Sequence, residues 1–272
     1  MENYIDNDMK DEVLTGHKPI PMKIAIKVMK SICKIIIMKE KGKNYGTGFF
    51  MRISDSFKCL ITNYHVLNPQ LIHLKIEIEI WNNKNIPLNL NNLYIKYFEK
   101  PIDITIIKIN ELEDIFKDIE FLDYDTNYNQ KGYSIYKDVD IFSVQHPFGD
   151  DAACASGKIS AINGYEFNHK IPTEQGSSGC PIILLNQNIN LIQVIGIHKK
   201  GDNNKGINCG TFIGEIIEGL NKDSKKILNN LEINENPKED LKEIPDNENI
   251  NYIIGQISVT INEVKKDIYI LL

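Results

Sequence analysis

Apolar and polar residues alternate over short runs through the first half of the chain: Lys23 to Met38, Gly48 to Ile53, Cys59 to Thr62, Leu74 to Ile80 and Asp103 to Ile109. A two-residue period places successive side chains on opposite faces, so these runs predict antiparallel β-sheet rather than helix. The Asn-rich, Pro-containing stretch between Ile80 and Leu93 reads as a loop, and the acidic stretch Glu111 to Asp125 reads as a connector between two halves. A second series of strand candidates follows near Ser134: Val139 to Val144, Gly157 to Ile162, Pro181 to Leu185, Leu191 to His198 and Gly206 to Phe212, separated by Gly, Asn or Pro. Two successive β-rich units of similar length suggest a pair of small barrels.

After Thr211 the apolar positions shift to helical spacing (Ile213, Ile216, Ile217, Leu220, Ile227), which predicts a C-terminal helix. Residues 232–250 are dominated by Glu, Asn, Lys, Asp and Pro and read as a linker. Strand-like patterning returns over 251–272, with Asn262 and Glu263 at a possible turn centre. The expected organisation is therefore a polar N-terminal arm (1–23), an N-terminal barrel (24–125), a C-terminal barrel with its helix (126–231), the linker (232–250) and a hairpin-like tail (251–272). No internal repeat is evident. The apolar surface of the tail makes docking onto the barrels, a partner chain or self-association its expected role.

Composition narrows the function classes. The 272 residues exceed what a miniature disulfide scaffold needs, and 31 basic against 37 acidic residues give a net charge of −6 without a dense basic block. Nucleic acid is thus not an expected partner. Lysine outnumbers arginine so heavily (Arg52 stands alone) that clusters of Lys or Asn are discounted as compositional bias. The five cysteines (Cys33, Cys59, Cys154, Cys180, Cys209) are odd in number and contain no CxxC pair, and the first twelve residues are acidic. These features lead to the expectation of buried, inert thiols in an intracellular, cytoplasmic protein, with zinc at Cys154, Cys180, Cys209 and a histidine as the weaker reading. Lysines and Pro21 interrupt the stretch Ile20 to Met38, so no membrane span is expected.

Three segments carry candidate chemistry: Leu60 to Leu67 with His65, Pro101 to Ile107 with Asp103, and Gly176 to Pro181 with Ser178. Each alone is commonplace, as a core histidine, a turn aspartate and a flexible Gly-Ser loop. Their order is more telling, because Asp103 follows His65 by 38 positions and Ser178 follows Asp103 by 75, with the Gly46 to Phe50 strand just ahead of the histidine. This set resembles the chymotrypsin-like, or trypsin-like, serine peptidases over about residues 24–220. Thr62 opens a T-x-x-H-[CV] motif, Asp103 a D-[IL]-[AT]-[LIV] motif and Gly176 a G-[DNS]-S-G-x-P motif. His146 to Gly149 resembles the family's turn into the second barrel. Val66 stands where many members carry a cysteine, which places the chain nearer to members without disulfides.

The resemblance implies an all-β fold of two antiparallel six-stranded β-barrels with the reacting groups in the cleft between them. It implies a serine endopeptidase in which Ser178 is the nucleophile, His65 the base and Asp103 the group that orients the imidazole, with the amides of Gly176 and Ser178 forming an oxyanion hole. Imidazole suits the task because it accepts and returns a proton near neutral pH. Cys180 is excluded as the nucleophile by its place after the second glycine of the motif. Neither a metal nor an organic cofactor is expected, and the expected partner is a peptide or protein substrate.

Two residues bear on specificity. Thr173 lies five positions before Ser178, and His198 lies in the Val194 to Gly201 run. Glutamyl endopeptidases resemble this arrangement, which implies contact of Thr173 and His198 with an acidic side chain, Glu above all. Lys199 and Gly201 would offer backbone groups to an extended substrate, with the lysine side chains solvated. His73 and His169 receive no role. Two further readings compete: a catalytically silent binding module on the same fold, and an assembly protein working through 251–272.

Overall fold

The computed structural model describes residues 19–109, 116, 118–185, 192–202, 206–220, 222, 256–261 and 264–269. The expected linker lies outside these residues, as do most of the N-terminal arm, the continuation of the C-terminal helix towards Ile227 and part of the acidic connector.

The chain begins with a helix, α1 (Met22–Met29), and then builds an antiparallel sheet from β1 (Ile32–Lys39), β2 (Gly42–Ser54), β3 (Phe57–Thr62), β4 (Ile76–Ile80), β5 (Lys84–Pro87), β6 (Ile95–Phe98) and β7 (Ile104–Lys108). Strand order is β5-β4-β1-β2-β3-β7-β6. Side chains from β1 through β5 and from β7 share one buried cluster that includes Ile35, Phe50, Leu60, Ile78, Ile86 and Ile107, so the sheet wraps around its own core. Among the described residues, no pairing joins its edge strands β5 and β6.

The second half contributes β8 (Asp123–Tyr124), a short helix α2 (Tyr128–Lys131), β9 (Asp140–Gln145), β10 (Ala153–Asn163), β11 (Glu166–His169), β12 (Pro181–Leu184), β13 (Gln193–Asp202) and β14 (Ile207–Phe212), followed by helix α3 over 214–220. Its order is β12-β9-β10-β11-β14-β13-β8, and an additional β12–β13 pairing closes six of these strands into a barrel. The barrel encloses Ile141, Ile159, Phe167, Ile182, Ile195 and Phe212. In the tail, β15 (Gln256–Ile261) and β16 (Val264–Tyr269) pair antiparallel, with Ile261 opposite Val264.

A third cluster joins the halves. Phe49, Met51, Ile61 and Ile106 of the first sheet meet Phe142, Val144, Val194 and Ile197 of the second, together with Ile24 and Val28 of α1 and Ile216 and Leu220 of α3. Consecutive apolar residues follow from this layering: Phe50 faces the inner core of its sheet while Phe49 and Met51 face the seam, and Leu60 divides from Cys59 and Ile61 in the same way.

The structure corrects the sequence reading in several elements. Residues 22–29, read as the start of a strand, form a helix. Pro21 has a φ of −58° at its N-terminal end, and Ile24, Ala25 and Val28 form its buried face. The stretch from Ile80 to Leu93 is not all loop, because β5 pairs with β4 and buries Ile86 opposite Ile78. The short strands β6, β8 and β11 were not anticipated, since two to four residues carry too little periodicity to register.

Candidate active site

His65 lies in the turn after β3, and Asp103 lies in the turn that leads into β7, held in a left-handed conformation with φ +64°. Asp103 is buried, at 2% exposure. Its carbonyl accepts hydrogen bonds from the Tyr64 amide (3.1 Å) and from Asn63 Nδ2 (3.1 Å). Its carboxylate accepts from the His65 amide at 3.0 Å through Oδ1 and lies 2.7 Å from His65 Nδ1 through Oδ2. An ionised carboxylate only accepts, so Nδ1 carries the hydrogen and Nε2 keeps its lone pair. The β3–β7 pairing (Thr62 opposite Thr105) brings the two turns together despite their separation in sequence.

Ser178 sits between two glycines with positive φ, Gly176 at +95° and Gly179 at +91°. A Cβ on Gly176 would approach the His146 carbonyl to 2.6 Å, and one on Gly179 would approach the Thr47 carbonyl to 2.1 Å, so only glycine fits at either place. The Gln175 carbonyl accepts from the Phe148 amide at 2.5 Å. Across a planar trans peptide the C=O and the next N–H point in opposite directions, so this bond turns the Gly176 N–H away from the 146–149 turn. Among the described residues, neither the Gly176 nor the Ser178 N–H has a backbone acceptor. Both amides belong to the turn that carries Ser178.

His65, Asp103, Ser178, Thr173, His198, Lys199 and Gly201 all line one cleft of about 910 Å³. Gly176 lines a smaller adjoining hollow of about 240 Å³ with Lys43, Tyr45 and Phe148. Cys180, excluded as nucleophile, is fully buried, and burial pushes its thiol up to about 12. All five cysteines are free thiols. Among the described residues, no three His, Cys, Asp or Glu side chains cluster at metal-holding distance, and no helix is long and apolar enough to cross a membrane.

Two side chains behave differently from the sequence reading. Lys199 is not a solvated lysine: it is 6% exposed, its ammonium lies 2.6 Å from Glu166 Oε1, and it also donates to the Pro101 carbonyl. Thr211 Oγ1 donates to the neighbouring Ile102 carbonyl at 3.0 Å, so β13 and β14 clamp the segment that leads to Asp103.

His169, given no role, is fully buried and places Nε2 at 3.1 Å from His198 Nδ1. The Ile171 amide donates to His169 Nδ1, so the hydrogen of His169 sits on Nε2 and is donated to His198. His198 therefore carries its own hydrogen on Nε2. Burial, with a smaller electrostatic contribution from His65, pushes the His198 pKa down to about 4, and burial lowers that of His169 as well. The signal that would have found His169 was the short Glu166 to His169 run between Gly164 and Pro172, which registers as β11 only once β14 pairs with it.

A curled β-sheet packs on a closed β-barrel, and a hydrogen-bonded His–Asp pair and a serine line one cleft. The trypsin-like peptidase domain family model matches residues 46–197, and the chain belongs to that family. Solved structures similar to it include the serine endoprotease from Yersinia pestis (TM-score 0.56, 15% identity, 76% of this chain and 67% of that one). The active form of the Rv3671c protease from M. tuberculosis gives a TM-score of 0.53 at 18% identity, covering 72% and 82%. The HtrA-type protease AlgW, solved with a tripeptide, gives 0.53 at 16%, covering 74% and 62%. No curated protein matches the chain.

Proposed function

We propose that the chain is a serine endopeptidase working through His65, Asp103 and Ser178. The observation that carries the reading is the 2.7 Å contact of His65 Nδ1 with the buried Asp103 carboxylate, on the cleft that Ser178 also lines. Ser178 Oγ attacks the scissile carbonyl as His65 Nε2 takes its proton, and the Gly176 and Ser178 amides receive the oxyanion. The imidazolium returns the proton to the leaving amine, giving an ester on Ser178. Water then adds to the ester with His65 again as base, and collapse of the adduct releases the new carboxyl terminus and restores the hydroxyl.

The pocket reading is an acceptor-ended side chain on the acyl side, Glu foremost, with Gln as the second substrate. A neutral His198 that holds its hydrogen on Nε2 is a donor without a charge, and together with the Thr173 hydroxyl it suits a carboxylate or a carboxamide oxygen. His198 itself presents no acceptor to Lys or Arg, which bring donors alone, although Thr173 and Glu174 on the same cleft can accept. Because the imidazole is neutral, the preference for a carboxylate over a carboxamide is weaker than an imidazolium would give.

The test is a fluorophosphonate label on wild type and Ser178→Ala, followed by a peptide-library cleavage profile. Labelling at Ser178 with cleavage after Glu or Gln supports the reading. An unlabelled wild type, or a dominant Lys, Arg or aromatic residue on the acyl side, overturns the corresponding part.

A further inference from the structure

The turn that presents the Gly176 and Ser178 amides carries no charged anchor. The residue before the nucleophile is Ser177, fully buried, and its hydroxyl accepts from the Glu174 amide at 3.1 Å. A residue on β2, Thr47, also fully buried, ties the turn to the first half of the molecule. Its Oγ1 accepts from the His146 amide at 3.0 Å and donates to the Gly176 carbonyl at 2.9 Å. Its own amide donates to the Ser178 carbonyl at 2.8 Å, and its carbonyl accepts from Thr62 Oγ1 at 2.9 Å.

A single hydroxyl thus sits between the two strips of backbone whose separation decides where the Gly176 N–H points. One strip is the 146–149 turn, whose Phe148 amide holds the Gln175 carbonyl. The other is the 175–178 turn itself. The Gly176 carbonyl and amide belong to adjacent peptide groups that share one Cα, so fixing the carbonyl through Thr47 and the preceding carbonyl through Phe148 leaves the intervening N–H a single direction. Loss of the Thr47 hydroxyl releases the Gly176 carbonyl and the His146 amide and leaves the Gln175–Gly176 peptide held by Phe148 alone, and a rotation that brings the Gln175 carbonyl to the cleft puts an acceptor where the oxyanion needs a donor. A glycine at 176 raises no steric barrier to that rotation.

We propose that Thr47 is a positioning residue for the oxyanion-binding turn: its hydroxyl, bridging the His146 amide and the Gly176 carbonyl, holds the turn in the conformation that presents the Gly176 and Ser178 amides as donors. The assignment rests on the peptidase reading above. Thr47 touches no reacting atom, and Thr62, which donates to its carbonyl, links the same bridge to the strand that ends three residues before His65.

The experiment compares wild type, Thr47→Val and Thr47→Ser in the full chain, by the rate of fluorophosphonate labelling, by kcat and KM on a cleaved peptide, and by the pH dependence of kcat. One lost oxyanion donor lowers rates roughly 10²- to 10³-fold, so a displaced one should slow Thr47→Val by at least about tenfold. The loss should fall on kcat with KM little changed. The pH at which the rate is half-maximal should stay in place, because His65 and Asp103 are untouched, and Thr47→Ser should recover most of the rate because it keeps the hydroxyl. If Thr47→Val does not fold, Thr47→Ala removes the same hydroxyl with a smaller side chain and carries the comparison. Equal labelling of wild type and a folded hydroxyl-free variant overturns the assignment, as does failure of Thr47→Ser to recover the rate, or failure of both hydroxyl-free variants to fold while Thr47→Ser does. A wild type that neither labels nor cleaves instead overturns the peptidase reading, so the two failures are distinct.

Discussion

The neutral histidine pair makes a measurable claim about stability. His198, at 3% exposure, titrates at about 4 in the folded protein, against about 6.5 for a histidine in an unfolded chain. Between those values the unfolded state holds a proton that the folded state does not, so unfolding takes up protons and stability falls as pH falls. The full contribution is present above about pH 6.5 and is lost as pH drops towards 4. At about 1.4 kcal/mol per pH unit, the shift amounts to on the order of 3 kcal/mol from His198, and His169 acts in the same direction because its pKa is also lowered. The perturbation is His198→Gln, which removes the titrating group while leaving an amide able to meet His169. Urea unfolding at pH 7, 6, 5 and 4.5 should show wild type losing on the order of 2 kcal/mol more than the variant over that range, since carboxylates elsewhere titrate alike in both. Parallel pH dependences would refute the buried neutral imidazole, and with it the uncharged donor assigned to the pocket.

Ser178→Ala should abolish fluorophosphonate labelling and peptide hydrolysis while moving the thermal midpoint little, because a hydroxyl lining a cleft contributes little to the core; retained cleavage in a preparation free of other proteases would exclude Ser178 as nucleophile. Asp103→Asn presents an NH₂ where Oδ2 accepts from His65 Nδ1, which favours the wrong tautomer, and kcat should fall about 10⁴-fold; a loss below about tenfold would mean that Asp103 does not orient His65. His169→Phe removes the donor to His198 Nδ1, so kcat/KM for Glu or Gln substrates should fall roughly ten- to a hundredfold while a small apolar residue at that position is cleaved as before; an equal fall for both would make His169 a purely structural group. Lys199→Met leaves the Pro101 carbonyl and Glu166 without their cation and should destabilise the fold by on the order of 2 kcal/mol by denaturant unfolding, whereas an unchanged midpoint would return Lys199 to the solvated edge.

What was legible in the sequence depended on how local the signal was. His65, Asp103 and Ser178 each sit in a short motif with its own turn residues, and they line one cleft because consecutive strands pair as the alternation implies. The strands buried on both sides, such as Phe49 to Met51, read correctly because β-sheet layering leaves apolar runs there. His169 was invisible because its partner lies two strands away: β14 runs between β11 and β13, pairing His169 with Asn208 and His198 with Gly210. The buried ammonium of Lys199 was hidden in the same way, since its acceptors Pro101 and Glu166 are far off in sequence. Helix α1 was misread because Lys23 to Val28 fits a period of two almost as well as a period of 3.6, and only the packing of Ile24 and Val28 into the seam decides between them.

The strained positions show how the site keeps its geometry. Asp103, Gly176 and Gly179 all have positive φ, and such a conformation at a non-glycine residue costs on the order of 1 kcal/mol and persists only where its surroundings over-determine it. Asp103 is over-determined: Tyr64 and Asn63 hold its carbonyl, the Glu99 carbonyl accepts from its amide, and both carboxylate oxygens are committed to His65. From the other half of the molecule, Lys199 and Thr211 fix the two carbonyls just ahead of it. The 175–178 turn is tied in the opposite sense, from the second half back to Thr47 on β2. Each half therefore holds the reactive turn of the other across a seam of packed apolar side chains, and a substitution that loosens the seam is expected to disturb the His–Asp pair and the oxyanion-binding turn together rather than either one alone.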